Sequence, residues 1–190
     1  MAGKSVGTTG GTFRPARTVA LIGPMAVGKS VVGAELARAL HLEFIDTDHQ
    51  ITAKHGPIPG IFASHGEHHF RRLEARAVAD VLDRRGDQVC VLSLGGGAVL
   101  DSGTQQLLAR ATVVYLRAGL ETVRERITRT TGRPLLAEDP VAAWQRLAAA
   151  RAPVYERLAD ITVDVDDSDI HQVVNRLIGL LGPDAGAATD

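Results

Sequence analysis

The stretch Gly23-Pro24-Met25-Ala26-Val27-Gly28-Lys29-Ser30 constrains this 190-residue chain more than any other. It fits the pattern G-x-x-x-x-G-K-[ST] and lies between an apolar run at 18–22 and a helical pattern at 31–40. A strand, a glycine turn and a helix in that order make a cradle for phosphates. Backbone N–H groups of the turn wrap the anion, and the helix N-terminus adds partial positive charge. Gly23, Ala26, Val27, Gly28 and Val31 are the candidate contacts beside Lys29 and Ser30. Lys29 can reach the β- and γ-phosphates, and the Ser30 hydroxyl can ligate Mg²⁺. The bland alternative is a glycine turn that binds nothing.

Strand and helix alternate through the rest of the chain. Strands are predicted at 18–22, 42–45, 88–94, 112–116 and 161–165. Helices are predicted at 31–40, 50–54, 58–64, 67–85, 103–110, 120–128, 140–150 and 170–181. A break is expected at Pro153, with a short continuation to 158. This alternation implies an α/β fold: a five-stranded parallel sheet with helices on both faces and ligands at the carboxyl ends of the strands. Residues 17–182 are expected to form one domain between disordered tails at 1–16 and 183–190.

The first three strands end in chemically useful residues. Asp46 and Asp48 would point the same way from an extended segment. One suits a metal ion, and the other suits an acceptor hydroxyl whose proton it takes. The triplet Asp46-Thr47-Asp48 also suits a turn that caps the next helix. Gly95-Gly96-Gly97 lets backbone approach a ligand closely, or is simply a turn. Arg71 has Glu67 four residues before it and Glu74 three after, so ion pairs can aim it at a carboxylate. Read alone, Arg71 and Arg151 are surface arginines. Arg133, between Gly132 and Pro134 in a poorly helical segment, suits a lid that closes on a transferring phosphate.

Charge narrows the choice of partners. With 21 Lys and Arg against 22 Asp and Glu, the chain offers no polyanion-binding surface, which argues against nucleic acid. The only cysteine, Cys90, lies in an apolar run, so a buried and inert thiol is expected. There is no secretory signal and no apolar span of membrane length, so a cytoplasmic protein is expected. His65, His68 and His69 have metal-binding spacing, but a solvated surface is the expected reading. Trp144 is expected to pack rather than recognise.

Five segments, in order, resemble the shikimate kinase family. They are Leu21-Ile22-Gly23-Pro24-Met25 through Ser30; Phe44-Ile45-Asp46-Thr47-Asp48; Ile61-Phe62-Ala63 with Gly66-Glu67 and Phe70-Arg71-Arg72-Leu73-Glu74; Leu92-Ser93-Leu94-Gly95-Gly96-Gly97-Ala98-Val99; and Arg133-Pro134-Leu135-Leu136 with Arg151-Ala152-Pro153-Val154-Tyr155. The resemblance implies transfer of the γ-phosphate of ATP to the 3-hydroxyl of shikimate. It implies a P-loop kinase architecture with an acceptor region at about 47–85 and a lid at about 128–140, and a monomer in solution. Asp48 would orient and deprotonate the hydroxyl, with Lys29 and Arg133 acting on the phosphates. Arg71 and Arg151 would bind the acceptor carboxylate, and Gly96 and Gly97 its hydroxyls. Arg126 would pack on adenine, while Ser30 and, through water, Asp46 would hold Mg²⁺.

Four departures from the family pattern stand out, the first being Thr52 in place of a glutamate often found after the Asp motif. Ala26 replaces a common glycine, and the position is expected not to need positive φ. Val31 stands where a threonine is usual. Asp166-Asp167-Ser168-Asp169 stands where the family often places a proline loop against adenine. Two other readings stay open: a related kinase for another hydroxylated acid or cyclitol, such as gluconate or quinate, and a nucleotide-binding module without turnover.

Overall fold

Alternate residues of the strands face opposite sides, and both sides are apolar. Ala20, Ile22, Cys90, Leu92, Val113 and Tyr115 bury on one side, and Val19, Leu21, Val91, Val114, Leu116 and Val163 on the other. A strand buried on both faces must be covered twice, which is the condition for a parallel sheet between helical layers. The computed structural model, which describes residues 13–83, 88–129, 134–136 and 139–182, has that arrangement.

The sheet comprises β1 (Val19–Ile22), β2 (Glu43–Asp46), β3 (Cys90–Ser93), β4 (Thr112–Arg117) and β5 (Ile161–Asp164), in the order β2-β3-β1-β4-β5. All four pairings are parallel. Helices α1 (Lys29–Leu40) and α7 (Ile170–Leu181) cover one face through Val32, Leu36, Val173 and Leu177. On the other lie α3 (Ile58–Leu82), α4 (Ser102–Leu108) and α6 (Pro140–Leu158), through Val78, Val81, Leu108 and Tyr155. Each such fully buried aliphatic side chain contributes roughly 1.5–3 kcal/mol relative to exposure. Helix α2 (Thr47–His55) and α5 (Leu120–Arg129) complete the set. The chain builds one side of the sheet with β2 and β3, then crosses to the other with β4 and β5, so β1 ends at the switch point.

Several boundaries differ from expectation. Helix α6 runs unbroken through Pro153. Its buried face, with Trp144, Arg151 and Tyr155 engaged, outweighs the lost backbone hydrogen bond. The stretches at 58–64 and 67–85 join into α3 across a kink at Gly66 (φ 78°, ψ 171°). The expected helical residues 84–85 lie outside the described residues, as do 1–12 and 183–190 of the expected tails. Within the expected N-terminal tail, Phe13 packs against the core layer of α1 and α7. Among the described residues, no helix is long and apolar enough to cross a membrane.

Candidate active site

The phosphate loop leaves β1 and enters α1 at Gly28, whose φ of 103° is open to glycine and strained for other residues. Lys29 is buried to 8 % exposure, and its Nζ donates to the carbonyls of Gly23 (2.9 Å) and Pro24 (2.8 Å). The loop departs from expectation at Ala26, which has φ 67°. A β-carbon in this left-handed region costs about 1–2 kcal/mol, so the alanine is strained, contrary to expectation. The carbonyls on either side of its Cα are held by side chains. Trp144 Nε1 donates to Met25 O at 2.9 Å, and Arg126 Nη1 donates to Ala26 O at 3.1 Å.

Asp46 ends β2 and serves in two ways. Its Oδ1 accepts from His49 N (3.1 Å) and caps α2, while its Oδ2 accepts from the Ser30 hydroxyl (2.6 Å). The expected extended segment from Asp46 to Asp48 is absent, because α2 begins at Thr47. Thr47 turns inward instead, fully buried. Its hydroxyl donates to Ser93 O (3.3 Å) and accepts from Gly95 N (3.1 Å). That one side chain ties the end of β2 to the end of β3. It also takes up the first N–H of the triple glycine, that of Gly95. Asp48 lands on the first turn of α2 and still shares a cavity with Asp46.

Two cavities meet there. The larger, about 760 Å³, runs from Lys29, Ser30 and Asp46 past Arg126 to Ile170 and Val173. Val31, 52 % exposed, is part of its wall, so the side chain that replaces the usual threonine adds apolar surface beside Ile170. The acidic segment is largely occupied with structure: Asp166 accepts from Gly119 N (3.0 Å) and from the Thr122 hydroxyl, and Asp169 caps α7 in a capping box with Gln172. Asp167 and Ser168 border the cavity.

The smaller cavity, about 130 Å³, gathers Asp48, Arg71, Gly96, Gly97 and Arg151 from four separate elements or loops. Asp48, Met25 and Gly96 line both cavities. Arg71 is gripped by Glu67 (2.8 Å) and by Glu74. Side chains at Gly95 and Gly97 would displace the site's own groups: a Cβ on Gly95 would meet Glu74 Oε1 and lie 2.7 Å from Asp48 Oδ1, and one on Gly97 would meet the Arg71 guanidinium. Arg151 is buried on α6. One turn further on, the Tyr155 hydroxyl donates to Gly96 O. Burial pushes that phenol up to about 12, so it remains a donor at any physiological pH.

Glu74 is 2 % exposed. Burial pushes its carboxyl up to about 7; the Arg71 guanidinium offsets part of the rise, and the Asp48 charge adds to it. Glu74, Thr47, Trp144 and Tyr155 acquire site roles that their residue types did not announce. Spacing held a signal for two of them: Tyr155 lies four residues after Arg151 on one helix face, and Glu74 three after Arg71.

Arg133 and residues 130–132, 137 and 138 of the expected lid lie outside the described residues. His65 and His69 stack at 4.7 Å between ring centroids, and His68 and His69 contact Arg72. Among the described residues, no group of three or more His, Cys, Asp or Glu side chains is placed to hold a metal ion.

A parallel sheet whose first strand feeds a G-x-x-x-x-G-K-S loop, with a carboxylate where two cavities meet, defines a P-loop phosphotransferase. The comparisons refine the class. The shikimate kinase family model matches residues 25–181. A shikimate kinase of Nitrobacter winogradskyi is 45% identical over 168 residues, 87% of this chain and 77% of that protein. One from Shewanella amazonensis is 41% identical over 169 residues, 87% of this chain and 97% of that protein. The solved shikimate kinase of Acinetobacter baumannii, in complex with shikimate, superposes with a TM-score of 0.83 at 32% identity, covering 94% of this chain and 97% of that one. The chain belongs to the shikimate kinase family.

Proposed function

We propose that this chain is an ATP-dependent shikimate kinase that phosphorylates the 3-hydroxyl. The observation that carries the reading is Asp48, which borders both a phosphate-loop cavity and a small cavity holding two arginines. ATP would place its phosphates along the loop and its base toward Arg126, Val31 and Ile170. Lys29 would exchange the Gly23 and Pro24 carbonyls for phosphate oxygens. The Ser30 hydroxyl and the Asp46 carboxylate are hard oxygen donors 2.6 Å apart, a set that suits Mg²⁺, which keeps waters and takes one or two protein ligands beside phosphates. Bound there, the ion would neutralise charge on the β- and γ-phosphates.

Arg71 and Arg151 would clamp the acceptor carboxylate, with Gly96 and Gly97 against its hydroxyls. Asp48 would then accept the proton of the 3-hydroxyl as its oxygen bonds to the γ-phosphorus and the bond to ADP breaks. Arg133 remains the lid arginine in this reading. Charge near neutrality supports a small-molecule enzyme over a nucleic-acid binder. Among the described residues, the large apolar side chains left exposed are Val31, Leu100, Ile170 and Leu180, two of them on the nucleotide cavity, which supports a monomer. The single buried thiol supports a cytoplasmic setting.

The test is ADP release by purified protein with Mg²⁺, ATP and a panel of shikimate, quinate and gluconate. Release is expected with shikimate at a kcat/KM at least about a hundredfold above the others, because a site built to pair with each hydroxyl rejects a mismatched one. Preference for another acid would move the assignment to a related kinase, and binding without turnover would favour a nucleotide-binding module.

A further inference from the structure

We propose that Trp144 is a positioning residue for the phosphate loop: with Arg126, it holds the left-handed backbone at Ala26 so that the Ala26 N–H faces the nucleotide. The proposal rests on the kinase reading above and adds a residue to its machinery.

Ala26 is the one non-glycine residue of the loop with positive φ. Its φ and ψ join two rigid peptide planes to one Cα. The Met25–Ala26 plane is held by Trp144 Nε1, which donates to Met25 O at 2.9 Å. The next plane is held by Arg126 Nη1, which donates to Ala26 O at 3.1 Å. With both planes pinned, both torsions are set. In a trans peptide, C=O and N–H point in opposite directions. Turning Met25 O toward Trp144 therefore turns the Ala26 N–H away from α6. Trp144 lies behind the loop, lining a small hollow with Pro24, Met25, Leu147 and Tyr155, whereas Ala26 borders the 760 Å³ cavity.

The two donors differ in what they can keep. Arg126 borders the nucleotide cavity and must share its guanidinium with whatever binds there. Trp144, 5 % exposed and packed with Val123, Ile127, Leu136 and Ala143, keeps its bond whether the cavity is filled or not. Val123 and Ile127 belong to α5 and Ala143 to α6, so the indole is fixed by the two helices that flank the lid segment. A glycine at position 26 would take the same backbone unaided; an alanine needs the clamp.

The experiment is steady-state kinetics of the full chain with Mg²⁺, ATP and shikimate for the parent, Trp144→Phe, Ala26→Gly and the double variant. Phenylalanine keeps an aromatic ring and removes the donor. Trp144→Phe is expected to raise the KM for ATP about fivefold while kcat and the KM for shikimate stay within about twofold, because only the loop's competent fraction falls. In the Ala26→Gly background, the same replacement is expected to raise the KM for ATP by less than about twofold. An unchanged KM for ATP, an equal rise in both backgrounds, or a joint rise of both KM values would overturn the proposal.

If Trp144→Phe fails to fold, the parent protein decides. It has a single tryptophan, so its one indole ¹⁵N should show a through-hydrogen-bond coupling to the Met25 carbonyl carbon, both without nucleotide and with a non-hydrolysable ATP analogue. A coupling that is absent, or that disappears when nucleotide saturates the cavity, would overturn the clamp. A parent that releases no shikimate-dependent ADP would sink the kinase reading instead, and the indole coupling would still decide the clamp.

Discussion

Glu74 shows how one buried residue governs a site it does not advertise. It lines the smaller cavity, touches Arg71, crowds Gly95 and feels the Asp48 charge. Protonated, it would leave the Arg71 charge to the carboxylate of the proposed acceptor; ionised, it would compete for it. Burial raises its carboxyl from the usual 4.5 to about 7, so the folded protein holds a proton that the unfolded chain releases at lower pH. The stability linked to that proton is complete below about pH 4.5 and is lost as pH climbs through about 7. Glu74→Gln is neutral throughout and escapes the loss. Stability curves of parent and variant should diverge in the variant's favour between those pH values, by on the order of a few kcal/mol. A difference constant with pH would show that Glu74 is ionised across the range. At this scale, sequence reading singled out residues whose chemistry is written in their type, such as Lys29, Asp48 and Arg71, and all three line the two cavities. It was wrong about Ala26, because a backbone torsion is set by what neighbouring groups pin, and Trp144 and Arg126 are 119 and 100 residues from the carbonyls they hold.

Among the elements, α6 carries the most function. Trp144, Arg151 and Tyr155, spaced seven and four apart, share one helix face that reaches the phosphate loop, the smaller cavity and Gly96 in turn. The helix therefore ties the two cavities to one rigid body, and the unbroken path through Pro153 preserves that tie. Tyr155→Phe removes one fastening while leaving the packing against Tyr115, whose ring centroid lies 5.1 Å away. Its expected effects are a loss of about 1–2 kcal/mol in urea unfolding and a rise in the KM for shikimate that exceeds any rise for ATP. A stability loss with no change in the shikimate KM would reduce Tyr155 to a core residue. The strands and helices themselves were legible in sequence, because a two-sided apolar strand and a one-sided apolar helix leave different periodicities. Their ends were less so: Pro153 looked like a break because its tertiary contacts were invisible.

For the whole molecule, both cavities open at the carboxyl ends of a single parallel sheet, so ligand binding and folding are linked through the same framework. ATP with Mg²⁺ at about a hundred times its Kd should raise the melting temperature by roughly 5–10 °C. Excess EDTA should remove most of that shift if Ser30 and Asp46 hold the ion against the phosphates, and an unaltered shift would remove them as metal ligands. By itself, the sequence determined the phosphate loop, the parallel α/β architecture and, through ordered motifs, the family. These depend on local pattern: glycines at a turn, apolar periodicity, charged types at set spacing. Only the tertiary structure decided that Thr47 joins β2 to β3, that Glu74 is buried against Arg71, and that Trp144 and Arg126 hold a strained alanine inside the phosphate loop. Those contacts join residues distant along the chain, and packing, not local preference, chooses their partners.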